Sequence, residues 1–226
     1  KYPVMNAAFM NAVLAHGADM DDGNKVSAGH IGTHVISSVF AMAEYLPETT
    51  WEKVVVAINV GYEMFNRIAG AAQPSLYRKG FHSTGVAGGI ACAAACAKLL
   101  GLGYEGIYNS VSLAAIQASG LIIIDESGQN CKPINPGNAA RIGVESAILV
   151  KHGVQSSMRP LESGKGWFHA FADSVNEETI LDGLGCKFTI SDSYIKLYPT
   201  CRHTHSCIDA GIELGKEIFC YNNNKY

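Results

Sequence analysis

The chain has 226 residues, enough for one large domain or one and a half ordinary ones. Its composition, 48% hydrophobic and 16% charged, describes a globular chain able to fill a sizeable core. A formal net charge of −3 at pH 7 excludes a whole-molecule field that recruits nucleic acid or an anionic membrane, so an anionic ligand must be held by a local cluster of Lys, Arg and His.

Helical periodicity dominates in chain order. Val4, Ala8, Ala12 and Ala15 recur at three to four residues, predicting a helix that ends near Gly17. The turn that follows, within "GADMDDGNKVSAGHIGTHV", packs three acids and two histidines between apolar segments. Residues 30–46 carry Val35, Val39, Met42 and Leu46 on one stripe, predicting a second helix. "PETTWEKVVVAINVGYEMFNRIAG" opens with Thr49 and Glu52 at capping-box spacing and closes on Gly70. A further helix is predicted over 84–100, with Cys92 and Cys96 on one Ala-rich face as buried free thiols. "YEGIYNSVSLAAIQASG" predicts a helix ending at Gly120. "NPGNAARIGVESAILVKHG" predicts one with Pro136 in its first turn and Gly153 past its end.

After Leu161 the texture changes. "ESGKGWFHAFAD" reads as a glycine turn and a short helix, "CKFTISDSYIKLYP" as a strand, and "HTHSCIDAGIELGKEIF" as helix again. The expected fold class is mainly α: an all-helical main domain over residues 1–160, then the beginning of a smaller α+β lid domain over residues 161–226. The chain starts inside an amphipathic pattern and stops straight after a helical segment, which reads as a fragment. No basic region precedes an apolar stretch, so no signal peptide is expected. The seven cysteines form no regular framework and point to a reducing compartment. With 24 Gly and runs such as "ACAAACA", the helices can approach closely, leaving a ligand site to helix ends and loops.

Four polar clusters sit at such connections, where sites concentrate. They are Asp19, Asp21, Asp22, His30 and His34; Arg78, Lys79 and His82; Lys132 and Arg141; and Arg202, His203 and His205. Isolated histidines more often serve as hydrogen-bonded scaffold, and His16, His34, His152 and His169 are read that way. A metal reading uses His30 and His34, one helical turn apart, with Asp19, as in a metal-dependent hydrolase. However, "HIGTH" lacks the Glu of a zincin motif, and "DMDDGN" lacks the closing Glu of an EF-hand. Cys201 and Cys207 flank His203 and His205, but only Asp209 offers an orienting acid. "GVAGG" fails as a phosphate cradle because its spacing is wrong and no strand precedes it.

Acid–base chemistry on an anionic small molecule remains. Moving a proton next to a carboxylate builds charge on a group already negative, so the site needs cations, a base and an acid. Lys132, Arg202, Lys79 and Arg78 are candidate cations. His30, His82 and His205 have side chains of the type that titrates near neutrality, and Asp19 can orient one of them. Dehydration, decarboxylation and epimerisation fit this toolkit equally.

The stretches "NAVLAHGADMDD", "GHIG", "VGYEMFNR", "GFHSTG", "AAACAKLLGL", "CKPINPGNAARIG", "LESGKGWF" and "YPTCRHTHSCID" together resemble the MmgE/PrpD family, in the family's order over nearly the whole chain. That family includes 2-methylcitrate dehydratase, cis-aconitate decarboxylase and iminodisuccinate epimerase. The resemblance implies an all-helical domain plus a lid, a site without cofactor or metal, and a homodimer. Carried over singly, it implies catalytic roles for Asp19, His30, His82, Lys132 and His205. The substrate's carboxylates would rest on Lys132 and Arg202, with Lys79 as a further substrate-binding cation. Ile31 stands where the family commonly has Pro, and family members are considerably longer. The expectation is a lyase acting on a small di- or tricarboxylate, foremost a 2-methylcitrate-type dehydratase, with no nucleic-acid or membrane partner. The expected location is cytoplasmic, or mitochondrial in a eukaryote. The alternatives are decarboxylation or epimerisation on the same scaffold, the metal-dependent hydrolase, and a non-catalytic fragment.

Overall fold

Residues 2–126 and 129–223 are described by the computed structural model. Helix α1 spans Val4–Gly17 and leads through the acidic turn, including β1 (Asp22–Gly23), into α2 (Ile31–Tyr45). Long helix α3 covers Trp51–Ala72. Its N-cap is Thr50, whose hydroxyl accepts from the Lys53 amide at 3.5 Å, one residue later than the Thr49–Glu52 box expected. After α4 (Ser75–Arg78), the single helix expected over 84–100 is two pieces, α5 (Ser83–Val86) and α6 (Gly88–Leu99). The break has a cause: the Trp167 indole donates to the Val86 carbonyl at 3.0 Å, on the last residue of α5.

Helix α7 (Tyr104–Ala115) stops five residues short of Gly120, because residues 120–122 turn to pair with residues 80–82. Helix α8 runs Ile134–Lys151 with Pro136 in its first turn. Gly153 follows it at φ +95°, a left-handed closing residue.

Helix α6 is the axis of the body. Every residue in it but Lys98 is buried, and α2, α3, α7 and α8 pack around it. Small residues make this approach possible. A Cβ at Gly143 of α8 would lie 2.7 Å from the Ala93 amide nitrogen of α6 and would overlap the Cys92 side chain. Both expected buried thiols, Cys92 and Cys96, lie in this seam, where burial pushes the Cys96 thiol up to about 12.

The core also holds an imidazole. His34 of α2 is fully buried, with neither ring nitrogen hydrogen-bonded, and lies 5.1 Å from the Phe65 ring between centroids. Burial lowers its pKa to about 3, so it is a neutral packing element at ordinary pH.

The later chain folds back on α3. Trp167 and Phe168 of α9 (Trp167–Phe171) are buried in the same core, and α10 (Glu177–Leu181) follows. Arg67 of α3 donates to the carbonyls of Ile180 and Asp182, both at 2.9 Å, and of Lys187 at 3.3 Å. Glu63 accepts from the Thr189 hydroxyl at 2.7 Å.

The long strand expected over 186–199 does not form. Residues 189–192 make a 3-10 turn, and only β2 (Tyr194–Ile195) is extended, pairing antiparallel with β1 through Asp22↔Ile195 and Gly23↔Tyr194. Glu63 and Arg67 take the backbone groups that a longer strand would have paired. The last helix, α11, spans His205–Asn223. The fold is mainly helical, and among the described residues no helix is long and apolar enough to cross a membrane.

Two outcomes test this packing. Gly143→Ala should lower stability by about 1–3 kcal/mol through overpacking, read as a lower urea midpoint; an unchanged midpoint would show that α6 and α8 can part. His34 binds its proton more weakly folded than unfolded, so acid favours the unfolded chain. Its contribution falls by about 1.4 kcal/mol per pH unit below an unfolded value of about 6.5. Urea midpoints at pH 7 and pH 5 should therefore differ less in His34→Leu than in the parent chain, and an equal difference would refute the assignment.

Candidate acid–base site at the helix ends

Helix α1 ends by presenting His16 from its buried face, in register with Ala8 and Ala12. Asp19 then takes the left-handed conformation at φ +50°, one that a short polar residue tolerates, and the chain swings back over the helix end. This brings Asp21 against His16, with Nδ1 on Oδ2. The other Asp21 oxygen lies 3.3 Å from His30 Nδ1 and 2.9 Å from Lys196 Nζ. Lys196 also bonds Asp19, and its backbone amide donates to the Asp21 carbonyl at 3.1 Å.

Asp22 works as scaffold. Its carboxylate accepts from the Gly32 amide at 2.8 Å and the Tyr62 hydroxyl at 2.6 Å, closing the first turn of α2. Burial pushes its pKa up, against those two bonds.

His30 is the N-cap residue of α2, and its amide donates to the Thr84 hydroxyl at 3.1 Å. Its Nδ1 lies 2.9 Å from the Asp22 carbonyl. A carbonyl only accepts, so Nδ1 carries the proton and a neutral ring keeps its lone pair on Nε2.

His82 has the opposite arrangement. Gly85 and Gly120 touch backbone to backbone; a Cβ on Gly120 would come 3.0 Å from the Gly85 Cα. The Gly120 carbonyl accepts the His82 amide at 3.1 Å. Asn135 of α8 places Nδ2 3.0 Å from His82 Nδ1 and 3.5 Å from the Leu121 carbonyl. The amide nitrogen donates to Nδ1, which leaves the proton of neutral His82 on Nε2. One imidazole thus offers a lone pair and the other an N–H.

Burial is the main reason that both His16 and His82 are held below the usual imidazole range. For His82 the neighbouring charges of His30, His16 and Lys132 act in the same direction; for His16 the Asp21 carboxylate opposes burial and loses. Lys132, half-buried just ahead of α8, bears on both rings. Asp21 is driven well below the usual carboxylate range. Burial opposes its ionisation, but hydrogen bonds from His16, His30 and Lys196 outweigh it. A cavity of about 530 Å³, lined by Met20, Tyr62, Ser193 and Ile195 among others, opens on Asp21 and Asp22.

Among the residues expected from sequence, His30 and Lys132 lie near enough to His82 for their charges to bear on it. Asp19 is in the cluster as the partner of Lys196, and the acid on His30 is Asp21 instead. Arg202 stacks on the Tyr194 ring at 5.6 Å; Tyr194 feels the charges of Lys196 and Asp21, so Arg202 stands just outside the cluster. Lys79 is ion-paired with Asp173 at 2.8 Å. His205 is buried edge-on to Tyr198, 5.1 Å between ring centroids. No described contact joins Lys79 or His205 to the imidazoles.

The metal set expected from His30, His34 and Asp19 does not assemble, because His34 turns into the core and Asp19 turns to Lys196. The one trio of potential ligand atoms among the described residues is His16, Asp21 and His30, within 4.8 Å of one another. Lys196 already supplies a cation to that carboxylate, and Lys132 bears on His16.

Sequence reasoning takes His16 for hydrogen-bonded scaffold, which its bond to Asp21 matches, and does not single out Asn135 or Lys196. His16 was signalled by the Ala8–Ala12–His16 stripe at intervals of four. Lys196 was masked by Ile195 and Leu197, which look like the buried residues of a strand and are instead 77% and 74% exposed.

Residues 1–180 match the MmgE/PrpD N-terminal domain. Three curated relatives are cis-aconitate decarboxylases. That of Mus musculus is 29% identical over 96% of this chain and 45% of its own length. That of Aspergillus terreus is 31% identical over 90% and 44%, and that of Homo sapiens 28% over 96% and 46%. The chain thus spans about half the length of the curated relatives it matches. With the family's domain matched over well more than half of its residues, this chain belongs to the MmgE/PrpD family.

Proposed function

We propose that the chain supplies the acid–base half of a lyase acting on a small di- or tricarboxylate. The observation that carries this reading is the pair of opposite imidazoles beside an ammonium: His30 with a lone pair on Nε2, His82 with a proton on Nε2, and Lys132 acting on the same space. A substrate carboxylate would bind Lys132. Arg202 would meet a second carboxylate from the segment 161–226, which on this reading begins the lid. His205 and Lys79 are assigned no proton-transfer step.

Within the lyases, decarboxylation is favoured by the relatives, which are decarboxylases of cis-aconitate. Breaking the carbon–carboxylate bond leaves an electron pair on the substrate, which spreads into a neighbouring double bond and must be quenched by a proton. His82 Nε2–H is the donor suited to that step. Dehydration is the second reading, favoured by the presence of a base as well as an acid. His30 would take a proton from carbon while His82 protonates the departing hydroxyl. Burial favours the neutral form of His82, and a bound polyanion favours return of a proton to it after either reaction.

The test is product analysis by NMR after incubation with cis-aconitate, citrate and 2-methylcitrate. Release of carbon dioxide from cis-aconitate is the expected result; loss of water only would move the assignment to dehydration, and inversion without either to epimerisation. Lys132→Ala should lower kcat on the order of 10²- to 10³-fold, the scale of losing one key electrostatic donor. Turnover unchanged in that variant would overturn the site.

A further inference from the structure

The geometry points to Lys196 as a positioning residue of the acid–base cluster: its ammonium clamps Asp19 and Asp21 and so aims the Asp21 carboxylate at His16 and His30. This inference rests on the lyase reading for its catalytic meaning, while the clamp itself stands on contacts alone.

Lys196 is buried in a way that packing does not explain. Its side chain is fully enclosed, while its apolar neighbours Ile195 and Leu197 face solvent. Burying an ammonium is costly unless it is paired and hydrogen-bonded, and here two carboxylates do so: Asp19, and Asp21 at 2.9 Å. Burial alone disfavours the charged form, and the carboxylates outweigh it, raising the Lys196 pKa. The backbone fixes the approach. β2 pairs with β1, and the Lys196 amide donates to the Asp21 carbonyl at 3.1 Å.

The charges around the clamp set its electrical consequence. Asp19 and Asp21 face Lys196 from the acidic turn, and Tyr194 faces it from its own strand, with Arg202 beyond that ring. Asp21 in turn faces His16 from α1, His30 from the start of α2, and Asp22 next to it in the turn. His16 is also faced by Lys132 from the approach to α8. With Lys196 in place, two carboxylates and one ammonium leave a single net negative charge for two imidazoles. Without it the deficit is two, which draws a proton onto the imidazoles and releases Asp21 from its fixed orientation. A base needs its lone pair, so the variant would keep its groups and lose their readiness at neutral pH.

The test compares Lys196→Met, Lys196→Arg and Asp19→Asn with the parent chain in two readouts. The first is the NMR titration of the His16 and His30 imidazoles, which needs no activity. Lys196→Met should move their midpoints up by about one pH unit or more, Lys196→Arg should restore them, and Asp19→Asn should move them down because it removes a negative charge. The second readout is the pH profile of turnover. In Lys196→Met the acid limb should move up by about the same amount and kcat at pH 7 should fall roughly threefold, with KM changing much less. Folded Lys196→Met with unmoved midpoints overturns the proposal. If that variant does not fold, unmoved midpoints in Asp19→Asn overturn it instead. A chain without lyase activity against any of the carboxylates would end the functional reading, and the titration would still decide the clamp.

Discussion

One carboxylate, that of Asp21, holds together parts of the chain that would otherwise have no reason to meet. Its two oxygens are divided among an imidazole at the end of α1, an imidazole at the start of α2, and an ammonium that follows β2. A buried carboxylate with three such partners stays ionised, and each partner escapes the cost of being buried alone. The arrangement is mutual. The histidines need the acid for orientation, the acid needs the cation for charge balance, and the cation is buried only because two acids receive it.

This explains why the chemistry lies at helix ends. Glycine and alanine let α8 close tightly on α6. The body's polar groups gather where helices begin and stop. His30 caps α2, and Lys132 stands ahead of α8, so both lie at N-terminal ends of long helices, where unpaired amides and the helix dipole favour negative charge. The opposite tautomers of His30 and His82 follow from a backbone carbonyl in one case and a side-chain amide in the other.

Much of the helical body was legible in the sequence because burial there follows a 3.6-residue period: α1, α2, α3 and α8 lie within a few residues of expectation. The deviations come from tertiary partners that no local pattern encodes. Trp167, eighty residues on, takes the carbonyl that would have continued α5 into α6. Within the segment that reads as a strand, Arg67 takes the Lys187 carbonyl and Glu63 the Thr189 amide. In the site, His30, His82 and Lys132 could be picked out as polar residues at junctions. Asp21 stood in the same cluster as Asp19, which looked like the orienting acid; deciding between them takes the left-handed turn at Asp19. Lys196 was hidden because its apolar neighbours follow the usual rule for burial and the chain inverts it.

The tightness of the α6–α8 seam has a consequence for how such a protein can change. Where one methyl group already meets backbone, the seam offers no room in which new specificity can be carved. Variation in what the protein accepts must therefore accumulate in the junctions: the acidic turn, the loop before α8, and the stretch around β2. A library confined to those three segments would sample most of the adaptable chemistry while leaving the scaffold intact.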